Sequence, residues 1–338
     1  MAEDRVAEQI GLAVSTDGRT FERVNGSGLI LPRLPAVPWK ALRVCNPTVL
    51  RFQGRWVMFY QGVGRGAAPA EITHAIGLAR SGDGISWECD DQPFLTFDHV
   101  RRACPAFAGA EKGGVIEPAV LVQGAQLVLY FVAYRVTYQE GTWLLRATSA
   151  DGEAWTIDPA WVLSSLQFGD YRLHYPQVTE DPSGLDLWFS LIDRQTQASA
   201  ILKMASVGGA PWHRLQQVLP AAEDGPQVRP REIVSLRRIL EGRRPPGLVR
   251  LNRGLNRLFR GGRDYLGYSH PHVARSPGGD RLYYHAYHQR RDGKTWMDIG
   301  SCVLGSERDA RAHVRALVPS PDRGAWDSFF VADPFVTE

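Results

Sequence analysis

Five residues with functional side chains stand directly before a proline that opens an apolar stretch: Asn46-Pro47, Glu117-Pro118, Tyr175-Pro176, His270-Pro271 and Asp333-Pro334. Intervals of 71, 58, 95 and 63 residues separate them. Two of the five are carboxylic acids. An Asp and a Glu converging from separate elements suit cleavage of a glycosidic bond. One carboxylic acid protonates the leaving oxygen while the other carboxylate activates water or attacks the sugar carbon. A lone Glu-Pro or Asp-Pro is ordinarily a turn residue, so the reading rests on the series and on no single pair.

A second mark recurs in step with the first. It reads Ser15-Thr-Asp-Gly-Arg-Thr-Phe21, Ser81-Gly-Asp-Gly-Ile-Ser-Trp87 and Ser149-Ala-Asp-Gly-Glu-Ala-Trp155, with a worn copy at Ser206-Val-Gly-Gly-Ala-Pro-Trp212. Two marks in one order mean a repeat architecture, which places equivalent residues around one axis. Asp-Gly between apolar runs is a strong hairpin signal, because both central positions tolerate positive φ. The Asp of each mark is expected to cap its own turn.

Four short strands per unit then follow. In the first complete unit these are Pro47–Phe52, Arg55–Gln61, His74–Arg80 and Ile85–Cys89. In the next they are Pro118–Val122, Gln126–Ala133, Thr142–Ser149 and Ala154–Ile157. Two further units start at Gln177 and His272. Such a unit is a propeller blade. Phe329–Thr337 reads as the innermost strand of a split blade, with Gln9–Ser15 and Phe21–Val24 as its outer strands. The expected fold is therefore all-β: one domain over residues 1–338, a five-bladed β-propeller of four-stranded antiparallel blades closed by the two ends of the chain.

With the X-Pro residues starting the innermost strands, they lie near the axis at one face, together with the turns after each second strand. Those turns add Gln61, Arg65, Tyr134, Arg135, Asp193, Arg194, Tyr287, His288 and Arg290 as candidates. His285 and His288 sit three apart on a strand and point to opposite faces, so one packs inward and the other faces the cleft.

Ten Trp, 11 Tyr, 13 Phe, 34 Gly and 22 Pro favour strands and turns over helices. The long fourth interval holds a segment from about residue 221 to residue 264. Between Arg229 and Arg263 it carries eleven Arg against two Glu, although the whole chain is only +3. Its leucines follow helical spacing on either side of Pro245-Pro246. A helical lid on the site face is expected, its arginines suited to phosphate or carboxylate. The same segment also reads as a solvated hairpin or an oligomer contact. It has little aromatic interleaving, which argues against nucleic acid as a partner.

Cys45, Cys89, Cys104 and Cys302 lack metal-ligand spacing and do not suggest a disulfide framework. No Walker loop, Gly-x-Ser-x-Gly elbow or dinucleotide fingerprint occurs. No metal or cofactor is expected. The first residues lack the basic start and apolar core of a secretory signal, and no apolar run is long enough to span a membrane. A cytoplasmic location without membrane association is expected.

Ile116-Glu117-Pro118, Ala332-Asp333-Pro334-Phe335 after Trp326-Asp327-Ser328, the aromatic second strands and the Ser-x-Asp-Gly-x-x-Trp marks resemble the five-bladed β-propeller glycosidases. That superfamily includes arabinanases, β-xylosidases, invertases and mannoside phosphorylases. The resemblance covers nearly the whole chain through short motifs. It implies Asp333 as base or nucleophile, Glu117 as acid, and Asn46 at the position of an acid-orienting Asp. A histidine near the axis falls on His270, with His272 as the alternative. The chain departs from the pattern in two ways: position 46 is an amide, and the first catalytic Asp stands near the C-terminus. The implied activity is cleavage or transfer of a glycosidic bond, on an anionic sugar if the arginines meet substrate. Tyr175, His270, His272, Arg65, Arg135, Arg194 and His288 would bind it. The alternatives are a phosphorylase or transferase of the same fold, and a carbohydrate-binding propeller without catalysis.

Overall fold

The structure is a computed structural model. It describes residues 8–66, 71–137, 139–194, 199–207, 211–219, 264–275, 279–289, 295–305, 310–317 and 334–336. The chain divides into two compact units, one running to Leu163 and the other starting at Ser164, with short C-terminal pieces assigned to each.

In the first unit, β1 (Ile10–Gly11) pairs with β4 (Leu29–Leu31), and β2 (Ala13–Val14) pairs with β3 (Glu22–Arg23). A four-stranded antiparallel sheet follows, in the order β5 (Arg43–Phe52), β6 (Arg55–Arg65), β7 (Ile72–Ser81) and β8 (Glu88–Cys89). The next has β9 (Gly113–Gln123), β10 (Gln126–Arg135), β11 (Trp143–Ser149) and β12 (Thr156–Ile157) in the same order, with β13 (Leu163–Ser164) also on β11. A helix, α1 (Phe97–Ala103), separates the two sheets. It opens on a capping box between Thr96 and His99, and sequence periodicity did not reveal it.

Strand β10 is packed on both faces, so it reads as a continuous apolar run. Every residue of β10 from Leu127 to Tyr134 is buried. Phe59, Leu78, Phe131 and Leu145 form one core with Phe97, Val100 and Phe107 from the helical connection. Phe59 meets Trp155 edge to face at 5.5 Å, a geometry worth about 1 kcal/mol beyond the buried area. At the edge of the first blade, Trp39 stacks on Tyr60 and donates to the Asp91 carbonyl at 2.8 Å.

In the second unit, β14 (Tyr171–Asp181), β15 (Gly184–Asp193), β16 (Ser199–Val207) and β17 (His213–Leu219) make one four-stranded blade. Another consists of β18 (Asp264–Ala274), β19 (Arg281–Gln289), β20 (Thr295–Leu304) and β21 (Ala310–Leu317). A single parallel pairing, Ser199 with Gly267, joins them. Trp188, Ile201, Tyr268, Leu282, Tyr284 and Cys302 form the shared core.

Four blades are thus present among the described residues, with strand orders matching the sequence reading. The fifth blade expected from the sequence is not among them: of its expected strands only the β2–β3 hairpin is described, and the strand expected at 329–337 lies largely outside the described residues. The Arg-rich insertion at 221–264 lies outside them apart from Asp264, where β18 begins.

Candidate active site

The four described X-Pro residues do not start the innermost strands. Each of β5, β9, β14 and β18 begins several residues earlier and runs through the proline. Asn46, Glu117, Tyr175 and His270 have φ of 50°, 56°, 55° and 53°. At each of them the pairing with the second strand slips, between Cys45 and Thr48, between Tyr130 and Val132, between His174 and Gln177, and between Ser269 and His272. The proline therefore sits in a bulge, where its missing N–H breaks no ladder bond. A left-handed non-glycine residue costs about 1–3 kcal/mol and persists only where its surroundings impose it. Before a proline the expected backbone is extended, which is why the sequence points to a strand start. The same strain at four equivalent positions, two in each unit, marks each of these bulges as a candidate functional position.

In the first unit the imposing contacts are explicit. Gln61 Oε1 accepts the Asn46 side-chain amide at 2.7 Å and the Glu117 backbone N–H at 3.2 Å. Thr48 Oγ1, two residues after Asn46, accepts the Val120 N–H at 3.3 Å. Glu117 is only 4% exposed. Nearby on β7 and β10, His74 Nδ1 and Tyr134 Oη lie 2.7 Å apart. Burial, aided by the Arg43 charge, pushes His74 down to about 4, so its imidazole is neutral at pH 7. Gly114, paired with Tyr134, lets that ring lie across β9, since a Cβ there would overlap the phenol.

The second unit repeats the device with different residues. Ser190 Oγ accepts the His270 backbone N–H at 3.2 Å and the Ser269 hydroxyl at 3.2 Å. Gln177, two residues after Tyr175, accepts the Val273 N–H at 2.6 Å and donates to its carbonyl at 3.2 Å. Tyr175 stacks on His270, and His270 Nδ1 lies 3.2 Å from His285 Nε2. His285 is thus the inward-facing histidine of its pair. Gln61 and His285 each lie opposite the residue preceding their own blade's left-handed position. Ser190, Gln177 and Thr48 carried no sequence signal, because their roles depend on the bulges.

The remaining candidates are placed as follows. His272 is buried; its Nε2 lies 2.7 Å from the Val336 carbonyl and its ring packs on Phe335 at 4.3 Å. Arg65 ends β6 and is exposed. Arg135 lies over the Trp143 ring at 4.6 Å and donates to the Ala106 carbonyl at 3.3 Å. Arg194 follows β15 and donates its backbone N–H to the Asp170 carbonyl at 3.1 Å. His288 lies on β19 opposite Trp296, with its side chain outside the described residues, as is Asp333. Among the described residues no group of three or more His, Cys, Asp and Glu side chains could hold a metal ion.

The Ser-x-Asp-Gly turns are built as their sequence suggests. Asp83 Oδ1 accepts the Ser81 hydroxyl and the N–H groups of Ile85 and Ser86, and Trp87 Nε1 donates to the Gly84 carbonyl at 3.0 Å. Asp17 and Asp151 are held in the same way. Part of the worn copy, residues 208–210, lies outside the described residues.

No family model matches the chain. An uncharacterized protein of Mycobacterium tuberculosis, Rv1502 in strain H37Rv and MT1551 in strain CDC 1551, is 27% identical over 147 residues. The match spans 43% of this chain and 43% of those proteins. Among solved structures, a glycosyl hydrolase from Bacteroides ovatus superposes with a TM-score of 0.58 at 11% identity, covering 90% of this chain and 83% of that one. A structure described under GH130 mannoside phosphorylases and glycoside hydrolases that target β-1,2 mannosidic linkages in Candida mannan gives 0.58 at 12% identity, covering 95% and 86%. The Bombyx mori GH32 β-fructofuranosidase gives 0.53 at 11%, covering 93% of this chain and 56% of that one. The fold is an all-β propeller. At these identities the likeness concerns the fold alone.

Proposed function

We propose that this propeller cleaves or transfers a glycosidic bond, with Glu117 as the general acid. The observation that supports this is a buried carboxylic acid on a strained backbone bulge, equivalent to three other bulges and fixed by the side chain of the neighbouring blade. A group held this rigidly can protonate a leaving oxygen without reorganising. The resemblance assigns the base or nucleophile to Asp333. Tyr175 and His270 offer a stacked ring surface and polar edges for a sugar. Arg65 and Arg194 suit an anionic substituent, and Arg135, held against Trp143, lines the end of β10. The structural neighbour described with mannoside phosphorylases makes phosphate a natural acceptor to set beside water.

The test is Glu117→Gln, assayed on a panel of glycosides with unactivated alkyl or sugar leaving groups, β-mannosides included, with water or phosphate as acceptor. Loss of a positioned acid lowers turnover about 10²–10⁴-fold. Unchanged release in the variant rejects the assignment. A second reading is favoured by Asn46, an amide where the resembling enzymes carry a carboxylate: a propeller that binds carbohydrate without turning it over. Saturable binding of a glycoside with no release by the wild-type protein supports that reading.

A further inference from the structure

The amide at position 46 is the clearest departure from the pattern that this chain resembles, and the hydrogen bonds around Gln61 account for it. A backbone N–H can only donate. The Glu117 N–H points at the Gln61 head group at 3.2 Å, so the atom facing it must be the carbonyl oxygen Oε1. The same oxygen faces the Asn46 head group at 2.7 Å, so position 46 must present a donor. An ionised aspartate has none. Placed there, it would oppose oxygen to oxygen, or force Gln61 to flip and abandon the Glu117 N–H. Gln61 is 7% exposed and Glu117 4% exposed, so solvent offers little relief to the Glu117 N–H if Gln61 turns away, while position 46 itself is half-buried.

We infer that Gln61 is a positioning residue that holds the Glu117 bulge in its left-handed conformation and thereby dictates an amide at position 46. The inference rests on the reading of Glu117 as the acid only for its catalytic consequence. Its structural half stands alone. The second unit supports it independently, because Ser190 occupies the corresponding place on β15 and accepts the His270 N–H in the same manner. In each unit a head group of the earlier blade thus catches the strained N–H of the later one. In the first unit that head group has a second duty, which fixes the chemistry of its own blade.

A double-mutant cycle tests the structural half. Asn46→Asp is measured by urea unfolding in the wild-type background and in Gln61→Met, which keeps the length of the side chain and removes its oxygen. The expected result is an Asn46→Asp penalty at pH 7 at least tenfold larger, in the folding equilibrium constant, with Gln61 present. That penalty should shrink as the pH falls, because the introduced carboxyl group regains a donor once protonated. Equal penalties in the two backgrounds overturn the inference.

The catalytic half is read with glycosides that carry unactivated alkyl or sugar leaving groups, whose departure needs the acid. Gln61→Met is expected to lower kcat about tenfold or more with little change in KM. Gln61→Glu, which retains both acceptor contacts and adds a negative charge beside Glu117, should recover the rate and move the basic limb of the pH–rate profile upward. A basic limb that stays in place in Gln61→Glu refutes the catalytic half. Absence of turnover in every form, wild type included, points to the binding reading and leaves the unfolding cycle intact as a test of the structure.

Discussion

His272 Nε2 donates to the Val336 carbonyl across 2.7 Å, and the Phe335 ring lies 4.3 Å from the imidazole. The segment directly after Asp333 is therefore tied to β18 by one buried side chain. A carbonyl only accepts, so Nε2 carries the proton and the neutral ring has its lone pair on Nδ1. Burial pushes His272 down to about 4, and the bond to Val336 offsets only part of that shift.

The sign of the resulting pH dependence follows. An unfolded histidine titrates near 6.5, so below that pH the unfolded chain binds a proton that folded His272 refuses. Stability should fall as the pH drops from about 6.5 and level off below about 4, with a slope approaching about 1.4 kcal/mol per pH unit. His272→Gln should flatten that part of the profile relative to wild type, measured as urea midpoints between pH 7 and 4. Identical slopes in the two proteins would show that His272 is not the titrating group. Removal of the last five residues, which include Phe335 and Val336, should weaken the same unit at neutral pH.

A second acid window belongs to the Ser-x-Asp-Gly turns. Backbone N–H groups and the neighbouring Ser hydroxyl hold Asp17 and Asp83 at about 2, below the usual carboxylate range. Their contribution is present above the unfolded value of about 3.9 and is lost as the pH falls through about 2. Asp83→Asn keeps an acceptor oxygen and loses the charge; Asp83→Ala loses both. The melting temperature at pH 7 should therefore fall in the order Asp, Asn, Ala, by a few degrees at most, and Asp and Asn should converge near pH 2. An Asn variant as damaging as Ala at pH 7 would contradict the turn chemistry.

These turns were fully legible in the sequence because every bond in them spans two or three residues. Blade order was legible too, since apolar runs and Asp-Gly turns are local signals. The bulges were not. A residue before proline ordinarily marks an extended start, and only pairing with the second strand shows that Asn46, Glu117, Tyr175 and His270 sit inside their strands in a left-handed conformation. Position alone makes Gln61 one candidate among many. Its bond to Asn46, 15 positions away, depends on the bulge within its own blade, and its bond to Glu117, 56 positions away, depends on two blades meeting, which no short window of sequence contains. The same holds for His272, an alternative axial histidine by position, whose contact with Val336 joins distant parts of the chain.

Val136 offers a test of strain outside the proposed chemistry. It follows β10, is 55% exposed, and has φ of 56°. A β-branched residue in that region costs roughly 1–2 kcal/mol, and at this exposure little packing is lost with the side chain. Its N–H bonds to the Lys112 carbonyl at 3.0 Å, a contact that glycine can keep. Val136→Gly should therefore stabilise the protein by about 1 kcal/mol, contrary to the usual effect of adding glycine. A lower melting temperature would mean that the left-handed turn is not imposed on Val136 by its neighbours.

The last prediction concerns the edge of the first blade, where Trp39 lies flat on β6 and β7. A Cβ on Gly62 would overlap the Trp39 indole, and one on Gly77 would crowd both Trp39 and the Tyr60 ring. Behind the indole, Lys40 is only 2% exposed, with its Nζ 3.2 Å from the Asp90 carbonyl and 3.4 Å from the Tyr60 hydroxyl. Gly62→Ala must push Trp39 outward, loosening its stack on Tyr60 and admitting water to the ammonium group. Overpacking of this kind costs about 1–3 kcal/mol. In a Trp39→Ala background the obstruction is gone, so the same Gly62→Ala change should cost far less. The difference, read from unfolding midpoints of the four proteins, isolates the contact. If the penalty is the same with and without Trp39, the glycine is needed by the strand itself and not by the indole that covers it.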